Sequence, residues 1–340
     1  MGRLIPRVAV LLGALVATGC ARRVVVMSWN VKNLFDTCTD GTEYADLQDA
    51  DALLFRRKCE VIAGAIRDAV PGGPDIVALQ EIENLGVLLE LRDGWLRGLG
   101  YRYCVAAGGK GTAVRVGFLS RLPILGAWTH SPAPDGDEVP RAILEIECRA
   151  QGETLRLLNN HWKSRIGGVA ATEGARVRAA RTVRTRLAAL IRRDPGAQVV
   201  VLGDLNESED TRGARGPSAL GDVLALTADG AALARRAEKD DPGLYEPWLE
   251  TGAPEGSYAY AGRWERPDHV LLSPGLLDGR GLEYREGSFR VVDASYLLDR
   301  GTGLPRGSVT RGSTVYPDHL PILVVLEPRV SRSPAPAPRG

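Results

Sequence analysis

The sequence predicts an α/β or α+β fold, because short apolar runs alternate with segments of helical periodicity over most of its length. Eight apolar runs, each bounded by turn residues, have the length of buried strands. They are Val24–Trp29, Ile76–Leu79, Val116–Leu119, Ala142–Ile146, Leu155–Leu158, Val199–Leu202, His269–Leu272 and Ile322–Leu326. Phe55–Ala69 and Glu173–Arg193 instead carry apolar residues at helical spacing. Strands and helices that interleave in this way are typical of sheets covered by helices.

The composition indicates one globular domain. The chain has 340 residues, of which 44% are hydrophobic and 25% are charged, enough to bury a large core. No linker separates the strand-like runs, so we predict a single domain over residues 24–327. Residues 328–340 lack apolar periodicity and are expected to form a disordered tail. The formal net charge of +1 argues against a protein that packages nucleic acid, and any polyanion must be bound locally.

The amino terminus has the pattern of a targeting signal. A basic start is followed by the apolar run Val8–Val16, which is too short to span a bilayer. The small residues Ala17-Thr18-Gly19 before Cys20 resemble the lipobox of bacterial lipoproteins. We therefore expect residues 1–19 to be a signal peptide, Cys20 to be lipidated, and residues 20–23 to form a short anchor that tethers an exported protein to the membrane of the cell envelope. The alternative is an ordinary secretory signal and a secreted or periplasmic protein.

Four cysteines remain besides Cys20, an even number in a chain expected to enter an oxidising compartment. This predicts disulfides, and of the three possible connectivities we favour Cys38–Cys59 with Cys104–Cys148. No cysteine has the CxxC spacing of a structural zinc site, so zinc is not expected.

Polar residues stand at the ends of otherwise apolar strands, where a core gives way to an open site. The five places are Asn30, Gln80-Glu81, Asn159-Asn160-His161, Asp204-Leu205-Asn206 and Asp318-His319. Their carboxylate and amide oxygens are the ligands that Mg²⁺ and Mn²⁺ prefer, whereas zinc would favour more nitrogen and sulfur. Two histidines accompany them. Phosphodiester cleavage needs a cation, an activated water and a route for protons, and this set contains groups for each.

The ordered set of motifs resembles the endonuclease/exonuclease/phosphatase superfamily over Val24 to Leu326. The matching segments are Trp29-Asn30-Val31, Leu79-Gln80-Glu81, Phe118–Ile124, Asn159-Asn160-His161, Gly203-Asp204-Leu205-Asn206, Arg266–Val270 and Ser313–Pro321. The resemblance implies a four-layer α/β sandwich, in which two packed mixed sheets are flanked by helices. It also implies a metal-dependent phosphoric ester hydrolase.

The resemblance also assigns roles around the metal. Glu81 would be the principal ligand of Mg²⁺ or Mn²⁺, with Asn30 and Asp318 completing or orienting its shell. His319 would be the general base, or the imidazolium that stabilises the phosphorane. Asp268 would hold His319 in the required tautomer.

Further roles concern the water and the phosphate. Asp204 would position or activate the water, and Asn206 would contact a phosphate oxygen. Arg141 and Asn159 are expected to bind phosphate or substrate. His161 resembles the second histidine of the deoxyribonuclease-like branch, a candidate general acid. That branch supports this histidine with a glutamate, but Thr112–Gly117 offers no carboxylate, so the partner that orients His161 stays open.

The substrate predicted from the sequence is nucleic acid, DNA or RNA. After His161, Lys163 and Arg165 could clamp flanking phosphates, while Trp162 is either a stacking face or a core side chain. A sphingomyelinase-like or small-molecule phosphodiesterase or phosphatase is the alternative enzyme. A non-catalytic binding protein of the same fold would be expected to lack Glu81, Asp204 or His319, and all three are present. No protein partner is predicted.

Overall fold

The fold is described by a computed structural model. It describes residues 22–38, 51–108, 111–134, 136, 139–211, 213, 216–237, 243–309 and 315–329. The predicted signal peptide, Cys20 and residues 330–340 of the predicted tail lie outside these residues. The last strand continues to Pro328, one residue past the predicted end of the domain.

Sixteen strands and five α-helices are present in the described residues. The strands are β1 (Val24–Leu34), β2 (Ile76–Ile82), β3 (Tyr103–Ala107), β4 (Arg115–Ser120), β5 (Ile124–His130), β6 (Ile143–Ala150), β7 (Glu153–His161), β8 (Gln198–Asp204), β9 (Leu226–Thr227), β10 (Leu244–Tyr245), β11 (Tyr258–Tyr260), β12 (Arg263–Glu265), β13 (Asp268–Leu272), β14 (Leu282–Tyr284), β15 (Arg290–Val291) and β16 (Ile322–Pro328). The helices are α1 (Ala52–Asp68), α2 (Leu85–Glu90), α3 (Val169–Arg193), α4 (Gly230–Ala237) and α5 (Arg306–Val309).

The strands form two mixed sheets and one separate hairpin. Sheet I has the order β14-β16-β1-β2-β4-β3, with β15 beside β16. Sheet II has the order β5-β6-β7-β8-β13-β10-β9, and β11 and β12 form a separate hairpin, from which Tyr258 makes an isolated bridge to His319. The β1–β2 and β7–β8 pairs are parallel, whereas β8–β13 and β1–β16 are antiparallel.

Three apolar clusters separate four layers. The inner cluster joins the sheets and includes Val26, Ile76 and Phe118 of sheet I and Leu157, Val200 and Val270 of sheet II. A second cluster packs α1 against the outer face of sheet I, and a third packs α3 against the outer face of sheet II. The α/β class and the four-layer sandwich of two mixed sheets are therefore confirmed. Within the described residues, no helix is both long enough and apolar enough to cross a membrane.

The helices begin earlier than their apolar stripes predict. The Asp51 side chain accepts from Leu53 N and caps α1, which is a signal present in the sequence. Helix α3 begins at Val169 instead of the predicted Glu173. Its N-cap, Gly168, makes no capping bond through a side chain, so the sequence carries no cap signal there.

The predicted disulfides are wrong for this structure, where Cys38, Cys59, Cys104 and Cys148 are all free. Cys104 packs with the cluster on the outer face of sheet I, whereas Cys148 lies in the cluster between the sheets. The two thiols are therefore on opposite sides of sheet I. Cys59 is fully buried against sheet I, while Cys38 is exposed. Burial raises the pKa of both Cys59 and Cys148 to about 12.

The topology gathers the predicted site at one edge of the sandwich. Strands β1 and β2 run parallel, so Asn30 and Glu81 emerge at the same end of sheet I. In sheet II, Asp204 pairs in register with His161 on one side and with Asp268 on the other. These three side chains therefore lie side by side across neighbouring strands.

Candidate active site

Two carboxylates from different sheets meet at the floor of the site. The Asn30 side-chain nitrogen donates to Glu81 Oε1 at 3.0 Å and to Asp204 Oδ2 at 2.9 Å. Its oxygen accepts from Lys32 N at 2.9 Å, which fixes the amide with its nitrogen toward the acids. Asn30 thus orients the two carboxylates.

The backbone around these acids is strained. Four of the seven non-glycine residues with positive φ in the described part of the chain lie here, namely Lys32, Asn33, Glu81 and Asn206. Each such residue costs about 1–2 kcal/mol unless its surroundings hold it. The strain has a use, since the turn brings Asn33 N within 3.0 Å of Glu81 Oε2. The backbone therefore helps to fix Glu81.

A buried lysine holds that turn. Lys58 of α1 is 4% exposed, and its ammonium donates to the carbonyl oxygens of Lys32 and Asn33. Burial lowers the pKa of Lys58 to about 7, although the nearby Glu81 and Asp318 oppose this shift. Lys58 therefore supports Glu81 from beneath, through the turn.

Asp204 stands between the two histidines. Its Oδ2 is 3.6 Å from His161 Nε2 and 4.0 Å from His319 Nε2, and its Oδ1 accepts from Asn206 N at 2.9 Å. Burial raises its pKa to about 6, against the opposing charge of His319. The preceding Gly203 has φ of 128°, and a Cβ there would lie 2.0 Å from the Asn160 carbonyl oxygen, so this approach of β7 and β8 requires glycine.

His319 is held by a carboxylate. Its Nδ1 lies 2.7 Å from Asp268 Oδ2, which also accepts from Ser257 Oγ at 2.6 Å. The Trp29 indole nitrogen donates to the His319 carbonyl oxygen, and the Tyr258 ring lies 4.5 Å from the imidazole, centroid to centroid. Burial alone would lower the pKa of His319, but Asp268 outweighs it and raises the pKa to about 10. The imidazole thus directs Nε2 toward the cleft.

His161 has a cation beside it instead. Its Nε2 lies 2.6 Å from Arg141 Nη1, which also donates to the Trp162 carbonyl oxygen at 2.7 Å. A guanidinium can only donate, so Nε2 must be the accepting nitrogen of a neutral imidazole. Burial, followed by the Arg141 charge, holds the pKa of His161 well below its usual value. This arrangement identifies Arg141 as the partner left open by the sequence, and it does not prepare His161 to donate a proton.

The donors fit a hard divalent cation. Ligand atoms of Glu81, His161 and Asp204 lie within 4.8 Å of one another. Asp318 lines the same cleft, where its Oδ2 is 3.1 Å from Lys32 Nζ. Carboxylates of Glu81, Asp204 and Asp318 can supply oxygen ligands, the type that Mg²⁺ and Mn²⁺ prefer.

The site opens into a cleft of about 820 Å³, and most predicted residues line it. They are Glu81, Arg141, His161, Arg165, Asp204, Asn206, Asp318 and His319. Asp268 lies behind His319 and is fully buried. Asn206 directs its side-chain nitrogen to the Trp162 carbonyl oxygen at 3.1 Å.

Three predicted substrate-binding residues of β7 and the loop after it differ from expectation. Asn159 is fully buried between the sheets, where it accepts from Gln80 and donates to two backbone carbonyls, so it does not reach substrate. Trp162 is 2% exposed and belongs to the core, which is one of the two alternatives that the sequence left open. Arg165 is paired with Glu265 of β12. Lys163 is exposed, but it lines a neighbouring cleft of about 200 Å³ that Arg141 also borders.

Four residues at the site were not predicted from the sequence, namely Lys58, Lys32, Ser257 and Tyr258. A signal existed for Lys58, which lies three residues after Phe55 and four before Ile62, on the buried face of α1. Tyr258 begins β11 and Ser257 directly precedes it, and this hairpin is too short to give a strand pattern.

Comparison with known families matches residues 25–328 to the Endonuclease/Exonuclease/phosphatase family. The chain belongs to that family. Its members are generally metal-dependent phosphoric ester hydrolases, and the acidic cluster described above is a suitable place for the metal. No curated protein matches the sequence closely.

Solved structures share the fold of this family member at low identity. Truncated TDP2 from Caenorhabditis elegans is 19% identical, with a TM-score of 0.54, covering 90% of this chain and 97% of that one. A family protein from Bacteroides thetaiotaomicron is 17% identical, with a TM-score of 0.53 and coverage of 91% and 98%. The human Nocturnin catalytic domain with bound sulfate is 14% identical, with a TM-score of 0.52 and coverage of 90% and 94%.

Proposed function

We propose that the protein is a metal-dependent phosphodiesterase that hydrolyses DNA or RNA. One observation carries this proposal: the Asp204 carboxylate lies beside Glu81 and between two imidazoles at the floor of an open cleft. Such a cluster brings oxygen ligands and proton-handling groups to one point, as phosphodiester hydrolysis requires.

Glu81, Asp204 and Asp318 would hold Mg²⁺ or Mn²⁺. The bound ion would neutralise charge that builds up on the phosphoryl oxygens. Asn30, the Asn33 amide and Lys58 keep the carboxylates in place.

His319 would act on the phosphoryl group. Its Nδ1 is engaged by Asp268, and Nε2 is too far from Asp204 to form a hydrogen bond, so the Nε2–H group can donate to a phosphoryl oxygen in the cleft. A buried carboxylate behind an imidazole fixes its tautomer and stabilises its positive charge. This favours the imidazolium role over that of a general base.

Asp204 and Arg141 would complete the chemistry. Asp204 would orient a water, because its carboxylate lies between the two imidazoles at the floor of the cleft. Arg141 brings a guanidinium to the cleft wall, and guanidinium groups match phosphate oxygens in geometry. The bound sulfate of the Nocturnin structure is a tetrahedral oxyanion of similar shape to this phosphoryl group.

Nucleic acid is the proposed substrate because cations continue beyond the cleft. Arg141 borders both clefts, and Lys163 lines the second, so a chain of phosphates can extend from one to the other. Phosphate contacts of this kind position a strand without selecting its sequence.

We further propose that the protein acts at the cell envelope, anchored through Cys20. The support is the short apolar run and the small residues that precede Cys20. Mass spectrometry of the protein from membranes should find a mature chain that begins at a diacylated Cys20. A mature chain that begins elsewhere would refute the anchor.

An activity panel tests the catalytic proposal. Single- and double-stranded DNA, RNA, sphingomyelin and inositol phosphates should be incubated with Mg²⁺ and, separately, with chelator. We expect Mg²⁺-dependent cleavage of at least one nucleic acid. Cleavage of sphingomyelin or an inositol phosphate, without cleavage of nucleic acid, would refute the nuclease and support the alternative phosphodiesterase or phosphatase. Binding without turnover would support a non-catalytic protein.

A further inference from the structure

Apolar side chains are exposed at the mouth of the cleft, and the chemistry above does not use them. Of the eleven large hydrophobic side chains that are exposed in the described residues, Ile166, Val169 and Tyr260 line this cleft. Ile166 is 86% exposed and Tyr260 is 64% exposed. Single exposed apolar residues are ordinary, but a group beside a candidate active site indicates a ligand with apolar surface.

The β11–β12 hairpin fixes the position of Tyr260 relative to His319. Ala261 and Gly262 both have positive φ and connect the paired residues Tyr260 and Arg263, as in a tight two-residue turn. Tyr258 and Tyr260 are two residues apart on one strand, so their side chains share a face. The Tyr258 ring packs on the His319 imidazole, which places Tyr260 about 6.6 Å farther out along the same face.

The loop after β7 is tied to the hairpin. Ile166 directly follows Arg165, and Arg165 forms an ion pair with Glu265 on β12. Glu265 is in register with Tyr258. The ion pair therefore holds the loop after β7 against the hairpin, and the exposed side chains of Ile166 and Tyr260 line the same cleft.

We infer that Tyr260 and Ile166 form a subsite for the nucleobase next to the reacting phosphodiester, an inference that rests on the proposed nuclease function. A base has flat apolar faces and polar edges, which suit a tyrosine ring, an isoleucine and the neighbouring Arg165–Glu265 pair. An acyl chain would instead be expected to need a continuous apolar wall, which this charged pair interrupts. Base faces are accessible only when the base is unstacked, so the preferred substrate is single-stranded nucleic acid.

The test compares a single-stranded DNA oligonucleotide with the same backbone built from abasic residues. Stacking of one base on an aromatic side chain contributes about 1–3 kcal/mol, which corresponds to roughly five- to hundredfold in affinity. Tyr260→Ala should raise the KM for the base-bearing strand by that factor with little change in kcat, and leave abasic cleavage unaffected. Ile166→Ala should act in the same direction. Tyr260→Phe should restore the preference for bases, and Leu125→Ala, which removes an exposed side chain outside the cleft, is the matched control.

Binding of both strands to the His319→Ala variant, measured by fluorescence anisotropy, tests the subsite separately from catalysis. His319→Ala should bind the base-bearing strand more tightly than the abasic strand, and His319→Ala/Tyr260→Ala should lose this preference. That result supports the subsite even if the wild-type protein cleaves no phosphodiester and the nuclease proposal fails. Equal effects of Tyr260→Ala on both strands would overturn the subsite while leaving the nuclease intact. Tyr260-dependent hydrolysis of sphingomyelin vesicles, without any preference for bases, would also overturn it and assign the apolar rim to a lipid.

Discussion

The site has two sides, each built around a histidine, and the nearest charged neighbours of the two histidines have opposite sign. His161 and His319 are both buried, and both have Nε2 within 4.0 Å of Asp204. On the His161 side the nearest partner is the Arg141 guanidinium, and on the His319 side it is the Asp268 carboxylate. Burial lowers the pKa of both histidines. The Arg141 charge adds to this effect at His161, whereas Asp268 outweighs it at His319, so the two pKa values shift in opposite directions. The neighbour, not the imidazole, therefore decides which histidine can donate to a phosphoryl group.

Metal removal should have the largest effect, because the proposed mechanism needs the bound ion whichever histidine acts on the phosphoryl group. Exhaustive dialysis against a chelator is expected to reduce hydrolysis to background, and Mg²⁺ or Mn²⁺ should restore it. Turnover should be measured during back-titration with Mg²⁺, Mn²⁺ and Zn²⁺, with circular dichroism as the control for folding. Full activity in the metal-free protein would exclude this mechanism.

On the His319 side, single substitutions should cost roughly two or more orders of magnitude in kcat, the usual scale for positioned acid–base groups. His319→Ala removes the donor, and Asp268→Asn removes the charge that supports it. His269→Gln is a matched control, because His269 Nδ1 lies 2.6 Å from Glu246 Oε2 in a fully buried pair outside the cleft. That variant should lose stability but keep its turnover per folded molecule. Near-normal kcat in folded His319→Ala would remove His319 from the mechanism.

On the His161 side, the effects should be smaller and fall mainly on KM. Arg141→Gln removes a guanidinium from the cleft wall, and a hydrogen bond to a charged group is worth about 1.5–3 kcal/mol, or roughly ten- to hundredfold. His161→Ala should resemble it, because His161 holds Arg141 in place. Steady-state kinetics of both variants and their combination will measure this. If His161→Ala lost as much kcat as His319→Ala, the two histidines would contribute equally to turnover, which contradicts the difference in their roles.

Lys58 supports Glu81, a proposed metal ligand, through the Lys32–Asn33 turn, so its loss should weaken metal binding without acting directly on either histidine. Lys58→Met leaves the Lys32 and Asn33 carbonyls without this donor, and a buried unsatisfied group costs about 1–3 kcal/mol. We expect the free energy of unfolding, measured in urea, to fall by that amount. We also expect half-maximal activity to require a higher Mg²⁺ concentration. Arg57→Met removes an exposed cation of the same helix and is the control. Unchanged Mg²⁺ dependence in Lys58→Met would show that the turn holds Glu81 unaided.

The sequence predicts the fold and much of the site because both depend on patterns within short segments. Apolar runs identify the central strands, and polar residues at strand ends identify Glu81, Asp204 and His319. Since parallel strands end at the same sheet edge, topology brings Asn30 beside Glu81 in sheet I and His161 beside Asp204 in sheet II.

Contacts between distant segments are what the sequence does not predict. Asn159 stands at a strand end, yet it points between the sheets, because the polar side chain of Gln80 from the opposite sheet needs a partner there. Arg165 faces Glu265, 100 residues later, instead of solvent. The carbonyl oxygens of Lys32 and Asn33 accept from Lys58 in a turn where both residues adopt positive φ. Asparagine favours that conformation but lysine does not, so the sequence does not predict the turn.

A double-mutant cycle on His319 and Asp268 tests the central claim most directly, since it asks whether the carboxylate works through the imidazole. Both groups should act as one unit, so His319→Ala/Asp268→Asn should be little slower than His319→Ala alone. The measurement is kcat with saturating Mg²⁺ on a single-stranded oligonucleotide, using protein shown to be folded. If the two losses instead multiply, Asp268 serves another partner and the account of the His319 side is wrong.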